Sequence, residues 1–564
     1  MLGAGLLAAL LLCCGPIFDP DLPWHLSAGR QFFAAGAVPR ADFLSQTMAG
    51  RPWVDFEWAA EALFYGIQRC GDGAALWLFK SAAFFALTLL FVLQLRLWKL
   101  PETWTGAAAA AFAAALFPAY GLRPEIFSML FFSLEFYLLE RRRLGLLRLG
   151  AVPLAALHAA LYAAWVNLHA GFAMGLALCF CYGVGELFEK GRGPRRVSAF
   201  AFAAAGLLGT LINPYGYLIY GVLFDHWRHL GALSRLIIEW QPPNFSLSYL
   251  QDYWLLTLFS LAGLAAAAWG GVALPSEHLF CAVLIGLFAS RTVRTTSFAL
   301  LIVYPLGVLA WSKTVSPAWW PSRRRWALGA GLCLVLWRGV AAAGPRGLFM
   351  RPIPIAEQGP RRACSFLLAQ KETLAALNLY NPYNMGGYLG YVLSPDYKVF
   401  MDGRYLFADL LDRTDQASRD PAAWRALMGD NAIGVAIQEN NGLMLSTPAV
   451  PAGHPYSAYF WPRDEWAVVY WDSQAIIYVR RATTPPEWLA RHEYRWLRPH
   501  DLRELGLYVV AGVVPFDGIS AEIDRYAREI GDPEQTLILQ HWRTEFAKGL
   551  ASADSLRRPK QSSL

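Results

Sequence analysis

Apolar blocks long enough to cross a bilayer recur along the first part of this 564-residue chain, and they constrain it more than any other feature. A membrane-spanning helix needs about 17–25 predominantly apolar residues, and Ala74–Leu97, Val197–Ile212, Tyr253–Trp269 and Trp326–Ala343 are blocks of that kind. Only 16% of the residues are charged and 56% are hydrophobic, where a soluble domain carries about 25% charge. Much of the surface must therefore face something other than water, and the mean hydropathy of +0.31 agrees. After Gly344 the blocks stop, and polar residues spread evenly to Leu564. The sequence thus predicts a polytopic α-helical membrane domain over 1–344 and a soluble α/β domain over 345–564, large enough for its own core.

The net charge of +7 does not point to nucleic acid, because the basic residues cluster between apolar blocks: Arg141–Arg143 with Arg148, Lys190 to Arg196, and Lys313 with Arg323–Arg325. Such loops lie in the cytoplasm by the positive-inside rule. Eleven spans from an inside Met1 satisfy all three clusters: Leu2–Phe18, Ala74–Leu97, Gly106–Pro118, Glu125–Glu140, Ala151–Val166, Gly171–Phe188, Val197–Ile212, Leu250–Trp269, Ser276–Ser290, Thr296–Trp311 and Trp326–Ala343. This count places the C-terminal domain outside, with a bacterial inner membrane and a periplasmic domain as the expected setting. The first span has neither the positive n-region nor the small-residue cleavage site of a signal peptide, so it reads as an anchor.

Most of the eight cysteines fall in spans, where a thiol behaves as a small hydrophobe. No CxxC zinc pattern, Walker loop or GxGxxG fingerprint is present, which argues against ATP-driven transport. The topology gathers Asp19, Asp21, His25, Asp55, Glu57, Arg123, Glu125, Asn167, His169, Asn213, Glu239, Arg291 and Arg294 at outer span ends or in outer loops. Charges beside a span are costly unless paired or hydrated, so such a gathering marks a site. Some members would serve only to cap helices or to snorkel.

The first outer loop, residues 19–72, is the most informative stretch. Asp19-Pro20-Asp21-Leu22-Pro23-Trp24-His25 leads into an amphipathic segment, Leu22 to Ala35, that stops at Gly36 with Pro39 beyond. Gly50, Pro52, Trp53 and Asp55 follow. Here the sequence resembles the GT-C superfamily of membrane glycosyltransferases, in the branch of protein mannosyltransferases and lipid A aminoarabinose transferases. That branch places an Asp-Glu pair before an interfacial helix, a glycine fifteen residues after the Asp, and a Gly-x-Pro-aromatic-x-Asp element. Leu22 stands where the branch has Glu, which leaves Asp19 as second carboxylate, and Phe56 stands where it often has Lys. Asp19-x-Asp21-x-x-Trp24-His25, Trp165–Gly171, Asn213–Gly216, Gly386–Leu389 and Val399–Arg404 are also similar to a group of bacterial GT-C-like proteins.

The resemblance implies a glycosyltransferase that uses a polyprenyl-phosphate-linked sugar and a glycan, lipid or protein acceptor, working among membrane lipid with no nucleic acid. A free hydroxyl is a weak nucleophile and needs a base; a partly desolvated carboxylate serves, with Asp21 the first choice and Asp19 second. Arginine suits a departing phosphate by its bidentate fork, so Arg123, Arg291 and Arg294 are expected to bind the donor. His25, Asp55, Glu57, Glu125, Asn167 and His169 are further substrate-binding candidates. Asp19, Asp21 and His25 are alternatively a ligand set for Mg²⁺ or Mn²⁺. A lipid-linked glycan flippase would more often show midplane charges and broken helices; a non-catalytic envelope-glycan assembly protein would look much the same as a transferase.

In the soluble part, Tyr397–Met401, Ile433–Gln438, Trp466–Tyr470 and Ala475–Val479 read as strands, and Ala422–Met428, Ile519–Ile530 and Glu534–Lys548 as helices. Asp402-Gly403-Arg404 reads as a turn with a paired arginine, with ligand contact as the sharper alternative.

Overall fold

A computed structural model of the chain describes residues 2–17, 19–116, 121–147, 149–188, 198–315, 354–440 and 460–557. The expected span Trp326–Ala343 and the basic residues Arg148, Lys190 to Arg196 and Arg323–Arg325 lie outside them. The chain forms two compact units, Met1–Ala41 with Pro52–Ile355 and Asp42–Arg51 with Ala356–Leu564.

The first unit is helical: α1 Leu2–Cys13, α2 Leu22–Ala35, α3 Trp58–Leu97, α4 Glu102–Ala115, α5 Glu125–Arg143, α6 Ala151–Leu168, α7 Phe172–Phe188, α8 Ala199–Gly209, α9 Ile219–Leu236, α10 Gln251–Trp269, α11 Ser276–Ala289 and α12 Thr296–Thr314. Among the described residues, Trp58–Leu97, Ala151–Leu168, Ser248–Trp269 and Val293–Thr314 are long and apolar enough to cross a membrane, and α1, α7, α8 and α11 are shorter apolar helices. Exposed leucines, phenylalanines and tryptophans along these helices, such as Leu78, Phe180, Leu258 and Trp269, would be unfavourable against water and suit lipid. The chain is an integral membrane protein.

Helix α2 has the expected bounds: Asp21 precedes it, Pro23 sits in its first turn, and Gly36 ends it in a left-handed conformation, its N–H donating to Phe32 O. The helix lies so close to α3 that a Cβ on Gly29 would stand 2.2 Å from the Glu61 carbonyl oxygen. Two features differ from the sequence reading. The span expected from Ala74 belongs to a helix that begins at Trp58 and breaks its helical geometry at Gly71 and Asp72. The stretch after Ile212, expected to be a loop, holds a further helix, α9, that exposes Phe224 and Trp227.

The second unit carries a four-stranded sheet of order β1-β2-β4-β3: β1 Asn378–Tyr380, β2 Ile433–Glu439, β3 Trp466–Trp471 and β4 Ala475–Arg480. β1 pairs parallel with β2, and β4 pairs antiparallel with both β2 and β3. All of β3 is buried, because helices cover both faces; Trp461, Trp466, Trp471 and Tyr526 fill one side and Leu379, Ile437 and Val479 the other. Helices Pro421–Asp430 and Pro533–Arg557 contain the expected Ala422–Met428 and Glu534–Lys548, and Phe516–Glu529 covers the expected Ile519–Ile530 except its last residue.

The expected strand Tyr397–Met401 does not form. Its partner is instead the excursion Asp42–Arg51: Val399 makes a single parallel bridge with Ser45, Gln46 N–H donates to Val399 O at 2.9 Å, and Thr47 Oγ1 donates to Phe400 O at 2.5 Å. Arg404 settles the Asp-Gly-Arg turn as a paired arginine. Its guanidinium lies 2.6 Å from Asp42 and 2.7 Å from Asp402, all three side chains being almost wholly buried.

Candidate active site

Arg123 is the hub of the polar cluster in the first unit. It sits in the turn before α5, and its donors are divided among three carboxylates. Nε lies 2.9 Å from each oxygen of Asp19, one terminal nitrogen 2.6 and 2.7 Å from the two oxygens of Glu239, and the other 3.2 Å from Asp21 Oδ2. Asp19 also accepts the Asp21 backbone N–H at 3.0 Å. Its carboxylate fits only because residue 121 is glycine, since a Cβ there would stand 2.2 Å from Asp19 Oδ2. Burial opposes the Arg123 charge, but Asp19, Asp21 and Glu239 outweigh it and hold its pKa well above the usual value. Burial pushes the Asp21 carboxyl up to about 6, with Asp19 and Glu239 adding to the rise and Arg123 opposing it.

Beside this hub, α2 and α3 bring together a second group. His25 Nδ1 lies 3.0 Å from Glu61 Oε1. Burial, then the nearby Arg123, His169 and Arg294, push the His25 ring well below its ordinary pKa, which favours the neutral ring beside Glu61. His25, Glu57 and Glu61 each offer a ligand atom, and these atoms lie within 4.8 Å of one another. This is the metal-capable set in the cluster. The trio expected from sequence does not assemble, because Asp19 and Asp21 turn to Arg123 while His25 turns to Glu61.

His169, just past α6, is fixed by its neighbours. Its Nδ1 receives the Gly171 N–H at 3.0 Å. A backbone N–H can only donate, so Nδ1 is the acceptor and the ring proton sits on Nε2, 3.6 Å from Glu57 Oε1. Ser128 Oγ touches the same Nδ1 at 2.7 Å and is itself held by Trp165 Nε1 at 2.7 Å. Burial raises the Glu57 carboxyl to about 8, with Arg294 opposing and Asp55 and Asp21 adding.

Arg294 closes the far side, in the turn before α12. Its Nε is 3.6 Å from Glu125 Oε2, its guanidinium stacks 5.5 Å above the Trp240 ring, and 29% of its side chain stays exposed. Ser297 Oγ also reaches Glu125 at 3.5 Å.

Other expected residues take architectural positions. Asn167 accepts from Trp58 Nε1 at 2.9 Å and donates to the carbonyls of Ala163 and Ile212, tying three segments together. Asp55 receives the Glu57 N–H at 3.3 Å in the turn before α3. Asn213 closes its own turn through Thr210 O, Gly216 O and Tyr215 N. Arg291 is exposed after α11, and among the described residues no ion pair joins it to the cluster. Glu61, Ser128 and Trp240 were missed by the sequence reading. Glu61 had a signal, since it follows Glu57 by four positions and so shares its face once the helix starts at Trp58.

No protein-family profile and no curated protein matches this sequence. Solved structures do. The apo oligosaccharyltransferase of Archaeoglobus fulgidus aligns over 97% of this chain and 86% of its own, with a TM-score of 0.51 at 10% identity. The same enzyme, AglB, in complex with an inhibitory peptide and a dolichol-phosphate aligns over 100% and 86%, with a TM-score of 0.51 at 10% identity. ArnT from Cupriavidus metallidurans bound to undecaprenyl phosphate aligns more loosely, over 86% and 98%, with a TM-score of 0.42 at 14% identity. The chain shares the fold of the Archaeoglobus fulgidus oligosaccharyltransferase.

Proposed function

We propose that this protein is an inverting glycosyltransferase that moves a sugar from a polyprenyl-phosphate-linked donor to an acceptor on the extracytoplasmic face. The observation that carries the reading is the convergence of Asp19, Asp21, Glu57, Glu61 and Glu239 with Arg123 and Arg294 in one half-open cluster of a GT-C fold. AglB has been solved with a dolichol-phosphate and a peptide, which supports a lipid-linked donor here. Neither the sugar nor the acceptor class is implied by that likeness.

Asp21 is the base. With a pKa near 6 it is ionised at neutral pH yet basic enough to take the proton of an acceptor hydroxyl. The acceptor oxygen attacks the anomeric carbon, the bond from that carbon to the phosphate oxygen breaks, and the lipid phosphate leaves with the electron pair. Arg294 is the phosphate contact of choice, because Arg123 has its donors divided among carboxylates. Glu57, protonated at neutral pH, donates a hydrogen bond to the leaving oxygen. Two carboxyls pushed to different pKa values divide acid and base work in this way. If a divalent ion takes part instead, His25, Glu57 and Glu61 would hold it, with Glu57 ionised as a ligand and no longer a donor, and an imidazole with two carboxylates suits Mn²⁺ better than Mg²⁺.

The test is transfer by purified protein in nanodiscs. Polyprenyl-phosphate or polyprenyl-diphosphate sugars should be consumed and nucleotide sugars alone left untouched; turnover of a soluble nucleotide sugar with lipid-linked donors inert rejects the mechanism. Reporter fusions test the eleven-span topology. A fusion after Arg143 should report cytoplasm and one after Glu357 the outer side, and a cytoplasmic signal after Glu357 inverts the proposed face.

A further inference from the structure

We propose that Glu135, His158 and Cys179 form a transition-metal site for Zn²⁺ inside the helical unit, separate from the proposed catalytic cluster. The three side chains come from α5, α6 and α7 and are almost wholly buried. Their ligand atoms lie within 4.8 Å of one another. Glu135 is ten residues along α5 from Glu125, about 15 Å at 1.5 Å per residue.

Hydrogen bonding alone accounts poorly for this arrangement. Cys179 Sγ lies 2.7 Å from Glu135 Oε1, and His158 Nδ1 lies 3.0 Å from the same oxygen. The imidazole nevertheless makes no hydrogen bond through Nδ1, and Glu135 Oε2 has no hydrogen-bond partner either. Two polar atoms in an apolar interior would then be left unsatisfied, each at a cost of about 1–3 kcal/mol. The thiol of Cys179 donates to Glu135 Oε1, but His158 Nδ1 and Glu135 Oε2 keep lone pairs that a cation between the three side chains would engage. A divalent ion satisfies all three and cancels their charge: one carboxylate, one thiolate, a neutral imidazole and Zn²⁺ sum to zero, the one net charge a bilayer interior tolerates cheaply.

The donor set selects the metal. Sulfur and imidazole ligands disfavour Mg²⁺ and Ca²⁺ and suit zinc. Three protein ligands leave one position of a tetrahedron; the Tyr162 hydroxyl lies 3.9 Å from Cys179 Sγ. Phe202 stacks on the His158 ring at 4.4 Å and 11°, fixing its plane. Helices α5 and α6 also carry Ser128 and end beside His169, so an ion here would pin the register of two helices that present groups to the catalytic cluster.

Protein purified in nanodiscs without chelator should hold about one equivalent of zinc by elemental analysis. Exchange for Co²⁺ should give a thiolate-to-cobalt charge-transfer band in the near ultraviolet. Cys179→Ala should abolish that band and His158→Ala should abolish or shift it, while Cys181→Ala, two residues away, should leave it unchanged. A wild-type protein with substoichiometric zinc and no cobalt band overturns the site, as does a band that survives Cys179→Ala. Should the variants fail to fold, X-ray absorption on the wild-type zinc form decides. One sulfur at about 2.3 Å with nitrogen and oxygen at about 2.0–2.2 Å is expected, and a shell without sulfur rejects the assignment.

Discussion

Helix α5 carries a buried acid and arginine group at each of its ends, and the two are built on opposite plans. At the Arg143 end, Glu140 is fully closed. Oε1 accepts from Arg143, Tyr182 and His278 at 2.7, 2.6 and 2.8 Å, and Oε2 from Arg143 and Trp98 at 2.8 and 2.6 Å. Its side chain is 0% exposed. The donors come from α5, α7, α11 and the segment after α3, so one carboxylate clamps four pieces of chain. At the other end carboxylates outnumber the cations facing them, and Asp21, Arg123, Glu239 and Arg294 keep between 21 and 38% of their side-chain surface exposed. A carboxylate with every lone pair engaged holds helices together; a cluster with excess acid and open surface can receive a ligand.

The sharpest way to break the contrast is to remove charge without changing shape at each end. Asp21→Asn should lower transfer about 10²–10⁴-fold, the usual worth of a general base, with normal yield and thermal unfolding. Glu140→Gln should do the reverse: a lower unfolding midpoint and poorer yield, because Arg143 loses its charge partner, but near-normal turnover per folded molecule. Equal loss of turnover per folded molecule in both variants would erase the distinction.

Within the outer cluster the two arginines should separate. Arg123→Ala strands Asp19, Asp21 and Glu239 together, and breaking such a partly buried set costs up to about 3–5 kcal/mol, read as a fall in the unfolding midpoint. Arg294→Ala should instead raise the KM for lipid donor about 10–100-fold, the loss of about 1.5–3 kcal/mol for a charged hydrogen bond, leaving the acceptor KM and stability near normal. A donor KM that is unmoved would take the phosphate away from Arg294.

The outer end should also titrate. As the proposed base Asp21 would work ionised, and its pKa is raised to about 6, so activity should climb as pH rises through that value. As the proposed hydrogen-bond donor Glu57 would work protonated, and its pKa is raised to about 8, so activity should fall above it, giving a bell. Arg123 lowers the Asp21 pKa, and removing its charge should therefore move the acid limb to higher pH. A rate that keeps rising past pH 9 would deny Glu57 its role as donor.

The contrast between the ends explains what could be read from sequence. Local patterns sufficed for α2, whose bounds follow from Pro23 and Gly36, and for β2, β3 and β4, each an apolar run between turn residues. Pairings set by distant chain were hidden. The stretch after Tyr397 has strand composition, yet its partner is Ser45, 354 positions before Val399, so it makes a bridge and not a sheet strand. β1, only Asn378–Tyr380, is too short to carry a pattern. In the candidate site, residue types singled out one end of the helices, but which acid faces which base depends on packing. His25 chose Glu61, a residue hidden in what read as loop, and Arg123 was taken by carboxylates instead of being left for phosphate. Both ends hold the same residue types, and only geometry tells the closed one from the open.

The smallest expected effect tests that last distinction most cleanly. Trp98 donates one hydrogen bond to Glu140 and packs its ring 5.3 Å from His278 and 6.0 Å from Phe136. Trp98→Phe keeps most of the ring contact and removes the N–H. Arg143 still serves Glu140 Oε2, so no oxygen is orphaned, and the loss should be about 1 kcal/mol of stability, a single net hydrogen bond. Transfer rate, donor KM and both limbs of the pH profile should be unchanged, because the change sits about 25 Å along α5 from the outer cluster by the 1.5 Å rise. If this mild substitution moved the Asp21 limb, the two ends would be coupled through α5, and the Glu140 clamp would belong to the catalytic machinery.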